Sequence, residues 1–181
     1  MDKLELNATK RKELGKKVGR LRRAGKLPGV IYGRHIESQA ITMDKREATP
    51  LLGRITSSSI VNVIVDGETI PCLIRERQRD YIKREFTHID FQAVSMKEII
   101  RTMVNIEVVG LSPAIKLFSG VLVTGLNQIE IECLPGDLPE KIIVDSSVLG
   151  KIGDGLYVKD ISLSDKISIL SNPEEMIILI T

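Results

Sequence analysis

Tryptophan is absent from this chain, and aromatic residues make up only 3% of its 181 residues. A core with so few rings must be aliphatic. The abundant Ile, Val and Leu favour β structure wherever they alternate with polar residues. Cysteine is equally scarce. Cys72 and Cys133 stand alone, without CxxC spacing, which argues against a disulfide framework and for two small buried hydrophobes in a reducing compartment. No apolar run approaches the length of a membrane span, and the opening residues Met1 to Asn7 hold no apolar signal core. The expectation is a soluble, cytoplasmic protein with no membrane partner.

What is present is a globular composition, 43% hydrophobic and 28% charged, in a chain long enough for two domains. The net charge of +2 hides a division. Residues 1–98 carry 20 Lys and Arg against 13 Asp and Glu, whereas residues 99–181 carry 6 against 11. A basic half followed by an acidic half predicts a polyanion-binding domain, residues 1–93, joined by a linker at Val94 to Glu98 to a second domain within residues 94–181.

Cations are densest between Lys10 and Arg34, where ten stand against one acid, Glu13. Val18 to Ala24 reads as a short helix closed by Gly25, and Gly29 to Tyr32 as a strand. A phosphate-binding P-loop is excluded: five residues separate Gly19 from Gly25 where the motif needs four, and Leu27 stands where Ser or Thr is required. Further strands are expected at Leu4–Ala8 and Gln39–Met43. A helix ending near Ile55 has two candidate starts, a capping box at Asp44 and Glu47 or the Thr49–Pro50 pair. Ser59–Val65 and Glu68–Ile74 flank Asp66 and Gly67 as a two-residue hairpin. Arg75 to Arg84 reads as a polar connection into a strand over Glu85–Gln92. There Ile89 and Phe91 point to the core, and His88, Asp90 and Gln92 point away. Beyond Val94 the pattern is of short strands and turns without helical period, a nearly all-β domain.

Four stretches of the first half carry a resemblance: Arg11 to Lys16, Leu21 to Gly33, Gln78 to Asp80, and His88 to Gln92. Glu132 to Pro135, Asp137 to Glu140 and Ile152 to Asp154 extend it through the second half. Together they resemble the bacterial large-subunit ribosomal protein L-twenty-five family in its long two-domain form, the Ctc or general-stress proteins. The resemblance implies an N-terminal six-stranded β-barrel with short helices, similar to the anticodon-binding domain of glutaminyl-tRNA synthetase. It implies binding of 5S ribosomal RNA at the loop E helix, through a widened minor groove, with Arg11, Arg20, Arg22, Tyr32, Gln78, His88 and Asp90 facing the RNA. Neighbouring ribosomal proteins or 23S RNA would meet the second domain. Two departures stand out. The loop Gly15 to Arg20 is one residue shorter than in many members, and Tyr81 stands where a proline commonly follows the aspartate.

The chemistry of the residues agrees with that implication. Lys16, Lys17, Arg20, Arg22 and Arg23 suit phosphates, which give affinity more than selectivity. Tyr32 with Gly33 offers an aromatic beside a close-approach glycine. Gln78 and His88 donate and accept at base edges and 2′-hydroxyls. Asp90 has two readings, an acceptor for base amino groups or a salt bridge to a neighbouring Arg. A free translation or stress factor that binds RNA transiently would use the same residues. A hydrolase with His88 as base and Asp90 as partner is disfavoured, because alternate residues on a strand are expected to stand too far apart and no Ser or Cys nucleophile motif is present. A metal site from His35, His88 and Asp90 has no ligand spacing to recommend it. No cofactor or metal is expected.

Overall fold

Alternation of apolar and polar residues gives inside and outside to the first strand, β1 (Glu5–Lys10), which buries Leu6 and Ala8 and exposes the residues between them. In the computed structural model, residues 4–13, 15–118 and 120–181 are described, without the side chains of Lys16, Lys116, Leu117 and Phe118. They divide into two units between Glu98 and Ile99. The break falls later than the expected 93/94 because Val94 is buried and donates its N–H to Pro71 O (2.9 Å), while Glu98 accepts from His35 Nε2 at 2.8 Å.

The first unit continues with α1 (Val18–Arg23), β2 (Lys26–Gly33), β3 (Ile36–Asp44), α2 (Lys45–Arg54), β4 (Ile60–Val65), β5 (Glu68–Asp80) and β6 (Glu85–Ala93). Its six strands close into a barrel in the order β1-β3-β2-β6-β5-β4, with β1 and β4 parallel, β2 and β6 parallel, and the other pairs antiparallel. Leu27, Ile31, Ile41, Val61, Ile89 and Phe91 fill the interior, none of them measurably exposed. Each such side chain contributes about 1.5–3 kcal/mol of burial. The hairpin between β4 and β5 turns at Asp66 (φ 51°) and Gly67 (φ 92°), the paired positive angles that Asp-Gly tolerates. Helix α2 takes the earlier of its two starts. Asp44 Oδ1 accepts from Arg46 N at 2.9 Å, and Pro50 lies within the helix. Ala48 and Leu52 carry α2 into the barrel core.

One element differs from its sequence reading. The stretch Arg75 to Asp80, expected to be a connection, is the second half of β5 and pairs with β6 throughout, with irregularities at Ile74/Glu76 and Gln78/Arg79. Its residues look like a loop because none is buried. The backbone ladder and Arg77 hold it instead, the guanidinium donating to Leu52 O and Ile55 O at 3.2 and 2.7 Å.

The second unit is largely β. Strands β7 (Ile100–Val109), β9 (Gln128–Cys133), β10 (Lys141–Asp145) and β12 (Ser168–Ile169) form a sheet in the order β10-β7-β9-β12. Strands β8 (Leu122–Thr124), β11 (Gly155–Tyr157) and β13 (Met176–Ile180) form another, in the order β11-β13-β8. A helix, α3 (Pro113–Phe118), stands where only a turn was expected. Buried Ser112 accepts from Ala114 N (3.0 Å), and Pro113 opens the helix, where its missing N–H costs nothing.

Candidate nucleic-acid interface

Helix α1 is six residues long, buries no side chain, and has three arginines in its last turn. So short a helix is marginal alone. Its arginines favour the C-terminal end of the helix dipole, and Gly25 at φ 75° ends it as expected. Arg22 Nε donates to Thr87 O at 3.0 Å and ties α1 to the start of β6. Between them lies a groove of ≈ 530 Å³ that carries Arg22, Arg23, Lys26, Lys45 and Lys83. Lys26 pairs with Asp44 (3.2 Å) and Lys45 with Glu85 (2.5 Å). Among the described residues, Lys17, Arg20, Arg22 and Arg23 form no ion pair. The side chain of Lys16 lies outside the described residues.

Arg11 has a different setting. Its backbone N–H bonds Ala40 O (2.9 Å), and its guanidinium donates to Ile41 O and Glu13 O at 3.0 and 2.6 Å. It fastens the root of the cationic segment to β3.

The neighbouring face comes from β2, β6 and β5. Ile89 and Phe91 are buried and His88, Asp90 and Gln92 face outward, so the alternation holds. Parallel pairing sets Tyr32, 36% exposed, beside Gln92, and antiparallel pairing sets Gln78 opposite His88 and Glu76 opposite Asp90. Gln78 Nε2 donates to Glu76 Oε1 at 3.0 Å, and Arg75 Nε donates to Gln92 Oε1. Glu76, Arg75 and Arg77 were missed by sequence reasoning. The alternating charges from Arg75 to Arg79 were the available signal, a polar strand rather than a loop.

His88 and Asp90 correct an expectation. Their alternate positions put the backbones about 6.6 Å apart, yet Nδ1 of His88 lies 2.7 Å from Oδ1 of Asp90 because both side chains lean into the gap. Asp90 therefore has His88 as its partner, and among the described residues no arginine is paired with it. A carboxylate only accepts, so Nδ1 of His88 donates this bond and Nε2 is the ring nitrogen left for a further partner. Distance no longer argues against a catalytic pair, but the nucleophile is still lacking. Among the described residues no Ser or Cys is bonded to His88, and burial pushes the Cys72 thiol up to about 12.

Gly33 sits differently from its sequence reading. A Cβ on Gly33 would lie 3.0 Å from both Cβ and O of Ala93, so the close approach it permits is to the end of β6. His35 is held by Glu98, whose carboxyl that hydrogen bond keeps below its usual range, followed in effect by the nearby His35 and Arg34 charges. Among the described residues no three His, Cys, Asp or Glu come together as a metal's ligand set.

A closed barrel with an unpaired cationic helix beside a hydrogen-bonding strand face defines a class, and comparison with known proteins supplies it: the chain is a ribosomal protein. Residues 6–91 match the Ribosomal L25p family and residues 99–181 match the "Ribosomal protein TL5, C-terminal domain", and the chain belongs to that family in its two-domain form, a structural family without enzymatic activity. Relatives named large ribosomal subunit protein bL25 include that of Moorella thermoacetica, 39% identical over 95% of this chain and 84% of the relative. That of Treponema denticola is 37% identical over 96% and 82%. That of Carboxydothermus hydrogenoformans is 36% identical over 100% and 89%.

Proposed function

We propose that the chain is a structural component of the large ribosomal subunit in the bacterial cytoplasm, and that residues 1–98 bind 5S ribosomal RNA at its loop E helix. The observation that carries this reading is the set of unpaired cations Lys17, Arg20, Arg22 and Arg23 next to outward-facing Tyr32, Gln78, His88 and Asp90. Phosphates neutralise the cations and position the helix. Selectivity then comes from the strand face. His88, oriented by Asp90, offers Nε2 to a base amino group or a 2′-hydroxyl, and the second carboxylate oxygen of Asp90 accepts from another such donor. Glu76 holds Gln78 in position to donate or accept alongside them. Other ribosomal components are the neighbours of the acidic second unit.

A footprint of the purified protein on total ribosomal RNA tests the assignment. Protection confined to loop E of 5S RNA is the expected result. Protection spread over 23S RNA with 5S RNA untouched would overturn it.

A further inference from the structure

Two large apolar side chains stand at the tip of the β5–β6 turn almost entirely in solvent, Tyr81 at 86% and Ile82 at 96% exposure. In a chain with three tyrosines and three phenylalanines this is conspicuous. Phe91 is core, Phe86 packs against the core, Tyr32 belongs to the strand face, and Tyr157 lies beneath Lys159. The tip is also held in shape. Asp80 Oδ1 accepts from Ile82 N and Lys83 N, both at 3.0 Å, and these bonds, that from Lys83 foremost, hold its carboxyl below the usual range. Arg84 takes a positive φ of 55°, which a non-glycine residue adopts only when its surroundings impose it. Arg79 donates from Nη2 to Arg84 O (3.3 Å) while its guanidinium lies 5.7 Å over the Phe86 ring. Between Arg79, Tyr81 and Arg84 is an open hollow of ≈ 290 Å³.

Charge selects the occupant. Arg79, Lys83 and Arg84 surround the tip, and the two nearby acids are engaged, Asp80 with backbone N–H groups and Glu85 with Lys45. An apolar protein partner would have to desolvate three cations. A nucleotide outside a stack brings a ring face for the tyrosine and phosphates for the cations, and base–aromatic stacking of this kind is indifferent to sequence. We infer that the β5–β6 turn is a stacking finger, on which Tyr81 takes the face of an unpaired RNA base while Arg79, Lys83 and Arg84 hold its flanking phosphates. The inference rests on the RNA-binding reading above and extends its surface from the α1 groove, which Lys83 lines, to the tip of the turn.

The absence of tryptophan makes the test direct. In Tyr81→Trp the introduced indole is the only one in the chain, and its fluorescence is expected to be quenched by 5S ribosomal RNA with the same midpoint as binding. Tyr81→Ala should weaken 5S binding about 5- to 150-fold, the range for loss of one stacked base, with the salt slope unchanged. Tyr81→Phe should bind as the native chain does, since stacking uses the ring face. An indole unmoved by saturating 5S RNA, with affinity intact in Tyr81→Ala, overturns the finger, leaves the RNA reading standing and assigns the tip to a protein contact. Failure of the native chain to bind 5S RNA overturns both.

Discussion

The two halves of this chain treat charge and strand edges in opposite ways. In the first unit the strands close on themselves into a barrel, and among the described residues the cations of α1 form no ion pair. In the second unit the sheets are open, and cations sit against carboxylates within the fold. Arg101 pairs with Glu132 at 2.8 Å, Lys166 with Asp137 at 3.0 Å, and Lys141 with Glu107. Exposed pairs of this sort add little stability, on the order of 0–1 kcal/mol. They do match Arg101, Lys141 and Lys166 to acids within their own unit. One unit therefore carries a helix of cations without acidic partners among the described residues, and the other matches Arg101, Lys141 and Lys166 internally. A single chain's near-neutral total says nothing about either.

The sharpest way to break this contrast is to separate the units. Residues 1–98 alone should retain nearly all 5S RNA affinity, with a log–log salt slope of about −3.5 to −4.5 for some five phosphates, while residues 99–181 bind weaker by on the order of a hundredfold or more. Filter binding or anisotropy across a salt series measures both, and comparable affinities in the two pieces would refute the division. Next in size is the barrel itself. Phe91→Ala removes a fully buried ring from its core and should cost about 3–5 kcal/mol of the first unit's stability in denaturant unfolding.

Smaller effects separate recognition from attraction within the first unit. His88→Ala and Asp90→Ala should each weaken 5S RNA by about 1–3 kcal/mol, by analogy with base-edge contacts, and leave an unrelated duplex nearly unaffected. Because the two side chains are bonded to each other, the double variant should fall short of the sum, and strict additivity in the cycle would deny their cooperation. A collapse of melting temperature in Asp90→Ala would make the pair a structural bond instead. Least of all, Arg23→Ala should weaken both RNAs equally and flatten the salt slope by roughly one unit or less.

How much of this could be read beforehand follows from what kind of signal each element leaves. Short-range features were legible: the Asp66–Gly67 turn, Gly25 closing α1, and the inward Ile89 and Phe91 all depend on residues within a few positions of one another. The end of β5 was not, because a polar strand held by its ladder has no apolar alternation to show. Nor was the partner of Asp90. Strand periodicity tells which face a side chain occupies but not which way it leans, and one pair of torsions closed the distance to His88. Gly33 was read as a ligand-approach residue because only the barrel's long-range closure reveals that Ala93 lies against it.

The position of β6 in that closure has a consequence for assembly. It is the last of the barrel strands to leave the ribosome that synthesises it, yet it lies between β2 and β5. Its parallel partner was made some sixty residues earlier, a long-range contact of the kind that forms slowly. Until β6 inserts, the barrel is open, two unpaired ladders face solvent, and His88, Asp90 and the anchor for Arg22 at Thr87 do not exist as a surface. Completion of the fold and completion of the face proposed to meet RNA are thus one event.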